Sequence, residues 1–416
     1  MEHEQVNQMT NPLEGKHIVL GVSGSIAVYK AADLASKLAQ QGAIVNTVLT
    51  ESACKFVSPL TFQSVTGQKA YNEADLWGGQ GHVVHIQLGH IAEALLIAPA
   101  SANTIAKLAN GIADNLLSVT ALAATCPIMI APAMDGGMYA HIATQTNIQV
   151  LKDRGVHFIG PAEGHLASGL VGPGRFESPE LITGCMRWLF SRGGALAGKK
   201  VVVTAGGTQE PIDPVRMITN RSSGKQGYAL AQSALDTGAE VTLITAPTHL
   251  EPPYGCKVIA VQQAEQMHQA VMAEIKDAHA LIMSAAVADF TPATPEKEKI
   301  KKDMALSAIK LNATVDILRQ VDAYKKQNKV DLKVIGFAAE SQSLKENAVK
   351  KLQEKSLDMI AANDITQTEA GFSVDTNEVT LIFANGSMES LPLMSKAEVA
   401  DKIIQHVVTW LTGEAE

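Results

Sequence analysis

Several short stretches carry residue types whose spacing could do chemistry. Gly21-Val-Ser-Gly-Ser-Ile-Ala27 follows an apolar run and opens an amphipathic segment. Glycine lets a backbone approach a ligand closely, and a helix N-terminus offers free N–H groups to an anion. Pro99-Ala-Ser-Ala-Asn-Thr104 follows a second apolar run in the same way. Two such turns on neighbouring strand ends can converge on one phosphate, although a strand-to-helix turn asks for glycine in any case. His85 sits in Gly81-His-Val-Val-His-Ile-Gln-Leu-Gly-His90 and is either a general base or a structural imidazole. Asp135 and Ser168 belong to two further Gly-rich stretches; Asp135 is also placed to cap the next helix.

In the second half, Asn220 precedes Ser222-Ser-Gly-Lys-Gln-Gly227, which opens a helix and suits a phosphate or a simple N-cap equally. It is not a Walker loop, because GxxxxGK[ST] is absent. Ala285-Ala-Val-Ala-Asp289 ends a buried strand and puts Asp289 at a sheet edge. The Pro- and Lys-rich segment from Pro292 to Lys302 is a basic flap placed to close over a triphosphate, or a solvated surface.

The elements that must position these residues repeat between the halves. His17-Ile-Val-Leu-Gly-Val and Lys200-Val-Val-Val-Thr-Ala are each preceded by a Gly-Lys pair, and both are β-branched runs of the kind buried on both faces of a sheet. Helices are expected over Ala31–Gln40 and Ala229–Asp236, followed by matching strands after Gly42 and Gly238. Glu93–Asn103 echoes His279–Asp289. Such repeats predict two doubly wound, Rossmann-like α/β domains with ligands beyond the carboxyl ends of the strands. The expected division is a domain over 1–190, a linker over 191–197 and a domain over 198–416.

Composition narrows the classes. The 416 residues are 46% hydrophobic and 18% charged, enough for two cores. With 34 basic and 42 acidic residues the net charge is −8, and no basic stripe speaks for nucleic acid. Four scattered cysteines form no zinc motif and fit a reducing cytoplasm. The polar, acidic start is no signal peptide, and no apolar run is long enough to span a membrane.

Taken together, Gly24-Ser-Ile-Ala, Ser58-Pro-Leu-Thr-Phe, His85-Ile, Ala98–Thr104 and Pro132-Ala-Met-Asp-Gly-Gly-Met-Tyr resemble the flavin-dependent cysteine decarboxylase family across residues 15–180. The resemblance implies a flavodoxin-like domain in trimers. FMN would be held by Gly24, Ser25, Ile26, Thr50, Ser101, Asn103 and Thr104, with His85 as base and Asp135 and Ser168 as further catalytic positions. Two residues depart from the family pattern. Asp135 stands where the family usually has Asn, and Ser168 stands in Ala-Ser-Gly where the family has a proton-donating Cys. An ionised Asp cannot donate to a carboxylate, and a hydroxyl is a weaker acid than a thiol.

The second half, with Thr204-Ala-Gly-Gly-Thr, Glu210-Pro-Ile-Asp-Pro-Val-Arg216, Asn220-Arg-Ser-Ser-Gly-Lys, Ala285–Asp289, Lys299-Ile-Lys-Lys, Gly336-Phe-Ala-Ala-Glu and Ala362-Asn-Asp, resembles phosphopantothenate–cysteine ligases over 198–410. That resemblance implies CTP and Mg²⁺, dimeric ligase domains, and roles for Asn220 and Lys299 in acyl-cytidylate chemistry. Ala285, Asp289, Lys299, Thr314, Asp316, Phe337, Lys351 and Lys355 would line the nucleotide site, with Thr314-Val replacing the usual Asn-Pro. The implied substrates are phosphopantothenate, cysteine and CTP, joined and then decarboxylated in coenzyme A synthesis. A ligase on an inactive flavoprotein scaffold is the alternative. A nicotinamide oxidoreductase would need a dinucleotide fingerprint that the chain lacks.

Overall fold

In the computed structural model the described residues are 11–77, 83–301, 308–340, 344–364 and 374–413. Lys302, His82 and Gly81, named above, lie outside them. The chain divides into two compact units, the first ending at Phe190 and the second starting at Ser191.

The first unit is built on strands β1 (His17–Val22), β2 (Ile44–Leu49), β3 (Ala70–Tyr71), β4 (Ala94–Ala100), β5 (Ile128–Pro132) and β6 (His157–Phe158). They form one sheet in the order β3-β2-β1-β4-β5-β6, with every pairing parallel. All seven residues of β4 are buried, as expected for a strand covered by helices on both faces. The order reverses between β1 and β4, and a doubly wound sheet leaves its ligand crevice there. Ile18, Leu20, Leu34, Leu38, Leu96 and Ile182 fill one layer; Val19, Leu95, Ile97, Leu117 and Ile130 fill the other. Each fully buried Leu or Ile contributes about 1.5–3 kcal/mol.

The Gly-rich stretch after Ala167 is part of an antiparallel hairpin, β7 (Ala162–His165) with β8 (Val171–Arg175), rather than an irregular loop. Met134 N donates to Gly174 O at 3.0 Å, fastening this hairpin to the turn that carries Asp135. Gly174 has φ +130°, and a Cβ there would collide with Met134 O. Glycine is what allows the two backbones to meet.

The second unit repeats the plan. Its strands are β9 (Lys200–Ala205), β10 (Gln209–Pro211), β11 (Met217–Thr219), β12 (Glu240–Thr245), β13 (Lys257–Ala260), β14 (Ala280–Met283), β15 (Phe290–Pro292), β16 (Leu311–Ala313), β17 (Lys333–Glu340), β18 (Met359–Asp364), β19 (Thr376–Phe383) and β20 (Met388–Ser395). Eight form one sheet, β13-β12-β9-β14-β17-β18-β19-β20, parallel as far as β18 and then antiparallel. The switch point lies between β9 and β14. β10 with β11 and β15 with β16 are separate antiparallel pairs. The strand at Ala280 ends at Met283, earlier than expected, so Ala285–Asp289 is the connection leaving the sheet edge. The stretch expected as a linker is folded: Leu196 is fully buried in the second core and its N–H donates to Thr237 O at 2.8 Å.

Candidate active sites

In the first unit the turns after β1 and β4 lie side by side at the switch point. Ser23, buried, locks them together: its Oγ donates to Pro99 O at 2.9 Å and accepts from Ser101 N at 2.8 Å. Ser25 Oγ accepts from Ala27 N at 3.3 Å ahead of the helix Val28–Gln40, whose N-cap Ala27 makes no side-chain hydrogen bond. Ser101 caps the helix Ala102–Asn110 by accepting from Thr104 N at 3.3 Å, and its Oγ lies 3.1 Å from Thr104 Oγ1. Thr50 caps the next connection through Ala53 N at 3.3 Å. A Cβ on Gly24 would come within 2.5 Å of Ser52 Cβ. Ile26 is 59% exposed beside this polar cluster, and Asn103 is exposed next to it. The edge thus combines hydroxyls, uncapped N–H groups and one exposed apolar side chain. That donor set fits a phosphate carrying an apolar ring system.

His85 lies in the first turn of the helix Val84–Ile91, and its buried Nδ1 has no hydrogen-bond partner among the described residues. That helix leads into β4, so it runs antiparallel to the strand and its first turn lies toward the carboxyl edge of the sheet. Asp135 caps the helix Gly136–Ala140, accepting from Gly137 N at 2.8 Å through Oδ1. Its other oxygen accepts from Ser168 Oγ at 2.6 Å. The two residues that depart from the family pattern are therefore direct partners. The Ser168 hydroxyl, and after it the Gly137 N–H, hold the Asp135 carboxyl below the usual carboxylate range. Asp135 is thus an ionised acceptor, and Ser168 is the donor that shields it.

The second unit has a cleft of about 680 Å³ at its switch point. It brings together Asn220, Ala285, Asp289, Thr314, Asp316, Phe337, Lys351 and Lys355. The loop beyond β14 is held by one isolated β-bridge, Gly207 with Ala286, and by further hydrogen bonds. Asn220 Nδ2 donates to Val287 O at 3.1 Å, Ala288 N to Thr208 Oγ1 at 2.9 Å, and Thr314 Oγ1 to Ala288 O at 2.6 Å. Thr314 N also donates to Asp289 O at 2.9 Å, so the Thr-Val sequence keeps the backbone contact at this edge. Asp316 caps the helix Ile317–Asn328 and pairs with Lys355 Nζ at 3.2 Å. The helix Lys225–Asp236 begins at the cleft behind N-cap Gly224, with φ +77° and no side-chain cap.

Lys299 does not line this cleft; it is exposed on the segment after β15. Its neighbour Ile300 is fixed from below. Asp213 Oδ2 accepts from Ile300 N at 3.2 Å and from Arg216 Nη1 at 2.8 Å, while Arg216 Nη1 also donates to Ile300 O at 3.2 Å. Burial works to raise the Asp213 pKa, but the N–H groups of Val215, Ile300 and Arg216 outweigh it and hold the carboxyl below its usual range. Asp213 stands in the Glu210–Arg216 motif with no role assigned from sequence, and Asn377 and Lys396 in the cleft wall lie outside every motif. The only local signal for the last was Ser395-Lys-Ala-Glu398, a capping box that marks a helix start. Among the described residues no group of three or more His, Cys, Asp or Glu side chains is arranged to hold a metal. No helix among them is long and apolar enough to cross a membrane.

Fold and sites define a flavoprotein-type α/β domain followed by a second α/β domain with a nucleotide-sized cleft. Residues 6–190 match the Flavoprotein family, and residues 196–411 match the DNA/pantothenate metabolism flavoprotein C-terminal domain. The chain is 47% identical to the coenzyme A biosynthesis bifunctional protein CoaBC of Bacillus subtilis (strain 168) over 407 residues, 97% of this chain and 99% of that protein. It is 43% identical to the protein of that name from Vibrio cholerae serotype O1 over 395 residues, 94% and 98% of the two chains. For the Escherichia coli K12 protein of that name the identity is 40% over 400 residues, 95% and 98%. Among solved structures, the C-terminal domain of a CoaBC protein is 39% identical with a TM-score of 0.45, covering 53% of this chain and all of that one. A PPC decarboxylase variant complexed with pantothenoylaminoethenethiol is 33% identical with a TM-score of 0.39, covering 42% of this chain and 99% of that one. The chain belongs to the coenzyme A biosynthesis bifunctional protein family. It is a bifunctional enzyme with a flavoprotein decarboxylase domain followed by a ligase domain.

Proposed function

We propose that the second unit joins 4′-phosphopantothenate to cysteine at the expense of CTP, and that the first unit decarboxylates the product to 4′-phosphopantetheine. In the ligase step the phosphopantothenate carboxylate attacks the α-phosphorus of CTP and pyrophosphate leaves. The cysteine amine then attacks the acyl carbon, and CMP leaves with the carboxylate oxygen it gained. Phe337, Lys351, Lys355, Asp316 and Thr314 hold the nucleoside end. The N–H groups opening the helix at Lys225 hold the phosphates, and Asn220 faces the acyl-phosphate oxygen as a neutral donor. Lys299 enters from the segment that Asp213 fixes and neutralises charge on the leaving group. Asp289 would hold Mg²⁺ together with the bound nucleotide, a single carboxylate being enough for that ion, and the metal would neutralise charge on the phosphates.

In the first unit FMN fits the polar edge formed by Gly24, Ser25, Ile26, Thr50, Ser101, Asn103 and Thr104. Once bound, it supplies the redox chemistry that lets an electron pair be left beside a departing carboxylate. His85 takes the substrate proton through its imidazole. Ionised Asp135 repels a substrate carboxylate, so Ser168 stays on Asp135 while the hairpin covers the site. The chain works in the cytoplasm as a homo-oligomer of trimeric flavin domains and dimeric ligase domains. Exposed Ile26, Tyr29, Leu60, Trp77 and Ile142 on the first unit favour such an assembly.

The observation that carries the reading is the gathering of Asn220, Asp289, Asp316, Phe337, Lys351 and Lys355 at one switch point, in a chain of this family. The test is CMP release from CTP. It is expected to require both Mg²⁺ and phosphopantothenate, and to be lost in Asn220→Ala. Release independent of phosphopantothenate would sink the assignment.

A further inference from the structure

One residue of the second unit is tied to both sides of the site although it does not line the cleft. Thr208 follows β9 and the Gly206-Gly207 turn and is fully buried. Its N–H donates to Ala286 O at 3.3 Å, and its Oγ1 accepts from Ala288 N at 2.9 Å. Ala286 and Ala288 are the two neighbours of Val287, so Thr208 brackets that residue. The Thr208 carbonyl accepts from Thr219 Oγ1 at 2.8 Å, and Thr219 immediately precedes Asn220. Asn220 lines the cleft, and its Nδ2 donates to Val287 O at 3.1 Å. These bonds close a ring from Thr208 through Ala288 and Val287 to Asn220, and back through Thr219.

Val287 C=O and Ala288 N–H belong to one peptide unit, and a peptide unit is planar. The Thr208 hydroxyl and the Asn220 carboxamide therefore grip opposite ends of one rigid plate. A backbone carbonyl only accepts, so the Asn220 carboxamide turns its nitrogen toward Val287 and leaves its oxygen and second N–H for the cleft. The rest of the loop is held by other groups: Ala286 N donates to Gly206 O at 2.8 Å, and Thr314 Oγ1 donates to Ala288 O at 2.6 Å. Removing the Thr208 hydroxyl thus keeps the loop in place and leaves one buried N–H without its acceptor. An unpaired buried N–H is costly, so the plate rotates to find another acceptor and carries the Val287 carbonyl away from Asn220.

We propose that Thr208 is a positioning residue of the ligase step: its hydroxyl sets the Val287–Ala288 peptide and, through it, the orientation of the Asn220 carboxamide. This rests on the reading of Asn220 given above. Thr208 touches neither substrate nor nucleotide, and it acts only through the ring.

The test uses full-length wild type, Thr208→Val, Thr208→Ser, Thr219→Val and the double variant Thr208→Val/Thr219→Val. Phosphopantothenate-dependent CMP release is measured per nucleotide site, the sites being counted by CMP bound at saturation, beside the thermal midpoint. Thr208→Val keeps the branched shape and loses the acceptor, and a misplaced Asn220 predicts a kcat per site lower by about 10- to 100-fold. Thr208→Ser keeps the acceptor and is expected to stay within about threefold of wild type. Thr219→Val opens the ring at its other link and is expected to lower kcat per site several-fold. Because both act on one ring, the double variant is expected within about twofold of Thr208→Val alone. A lowered midpoint with unchanged kcat per site would make Thr208 a packing residue and overturn the proposal, as would effects that multiply in the double variant or a Thr208→Ser as slow as Thr208→Val. Should Thr208→Val fail to fold, Thr219→Val decides, and an unchanged kcat per site there overturns the proposal. Wild-type protein that releases no CMP in the presence of phosphopantothenate would instead refute the ligase reading itself.

Discussion

Replacing Gly227 with alanine tests whether the helix N-terminus at the cleft must sit as close to the sheet as it does. A Cβ on Gly227 would lie 2.6 Å from Ala205 Cβ, 2.9 Å from Thr204 O and 3.0 Å from Ala205 Cα. Carbon atoms pack at about 3.5–4.0 Å, so the helix Lys225–Asp236 must retreat by about 1 Å. Overpacking of this kind costs about 1–3 kcal/mol, while alanine in a helix recovers up to about 1 kcal/mol over glycine. The net loss of up to about 2 kcal/mol corresponds to a fall in midpoint of about 2–8 °C for a domain of this size. The larger effect is on catalysis, because a shift of about 1 Å in a positioned group costs about 10²-fold in rate. The assay is phosphopantothenate-dependent CMP release, read beside thermal unfolding of the ligase transition. Gly193→Ala is the control, since a Cβ there meets nothing within 4 Å. Full activity with an unchanged midpoint in Gly227→Ala would refute the claim that close approach positions this helix.

Other substitutions probe the remaining contacts. Asp213→Ala frees Ile300 and is expected to lower CMP release with little change in CMP binding, checked by activity alongside equilibrium dialysis. Lys355→Met removes one cationic partner of Asp316, leaving Arg319, and is expected to raise the KM for CTP several-fold while leaving the KM for cysteine alone. In the first unit the depressed Asp135 pKa means that its pairing with Ser168 is intact above the unfolded carboxylate value of about 3.9 and is lost only as pH falls below it. Limited proteolysis within the β7–β8 hairpin is therefore expected to be flat from about pH 5 to 8 and to rise in stronger acid. Ser168→Ala is expected to raise that cleavage at neutral pH as well, and equal cleavage of variant and wild type would remove the shielding role.

The doubly wound architecture was legible because buried parallel strands leave continuous apolar runs, and β1, β4, β9 and β14 all start within one residue of their expected places. The helices at Val28 and Lys225 begin earlier than expected, since their first turns are polar and glycine-rich and carry no apolar stripe. Ala285, Asp289, Thr314, Asp316, Phe337, Lys351 and Lys355 of this cleft are residues that the family resemblance names; Phe337 lies on a strand, Asp316 at a helix start and Lys351 on the helix Leu344–Glu354. Lys299 was named as well but stands outside the cleft lining, as the segment that carries it is pinned through Glu296 N to Ile212 O and through Ile300 N to Asp213. Asn377 carries no local mark, and the capping box around Lys396 marks only a helix start. Lys396 meets Gln226 across 170 residues of chain, and only the closing of the eight-stranded sheet brings them together. The Asp135–Ser168 pair, 33 residues apart, was met as two separate departures from a pattern and is one hydrogen-bonded unit.

The most direct measurement is mass spectrometry of the products formed when purified protein receives phosphopantothenate, cysteine, CTP and Mg²⁺. 4′-Phosphopantetheine and CMP are expected together, with carbon dioxide released. Accumulation of phosphopantothenoylcysteine would show a working ligase on an inactive flavoprotein domain. A product two hydrogens lighter than phosphopantetheine would show that the Asp135–Ser168 pair leaves the final reduction undone. The absence of CMP would contradict the central claim.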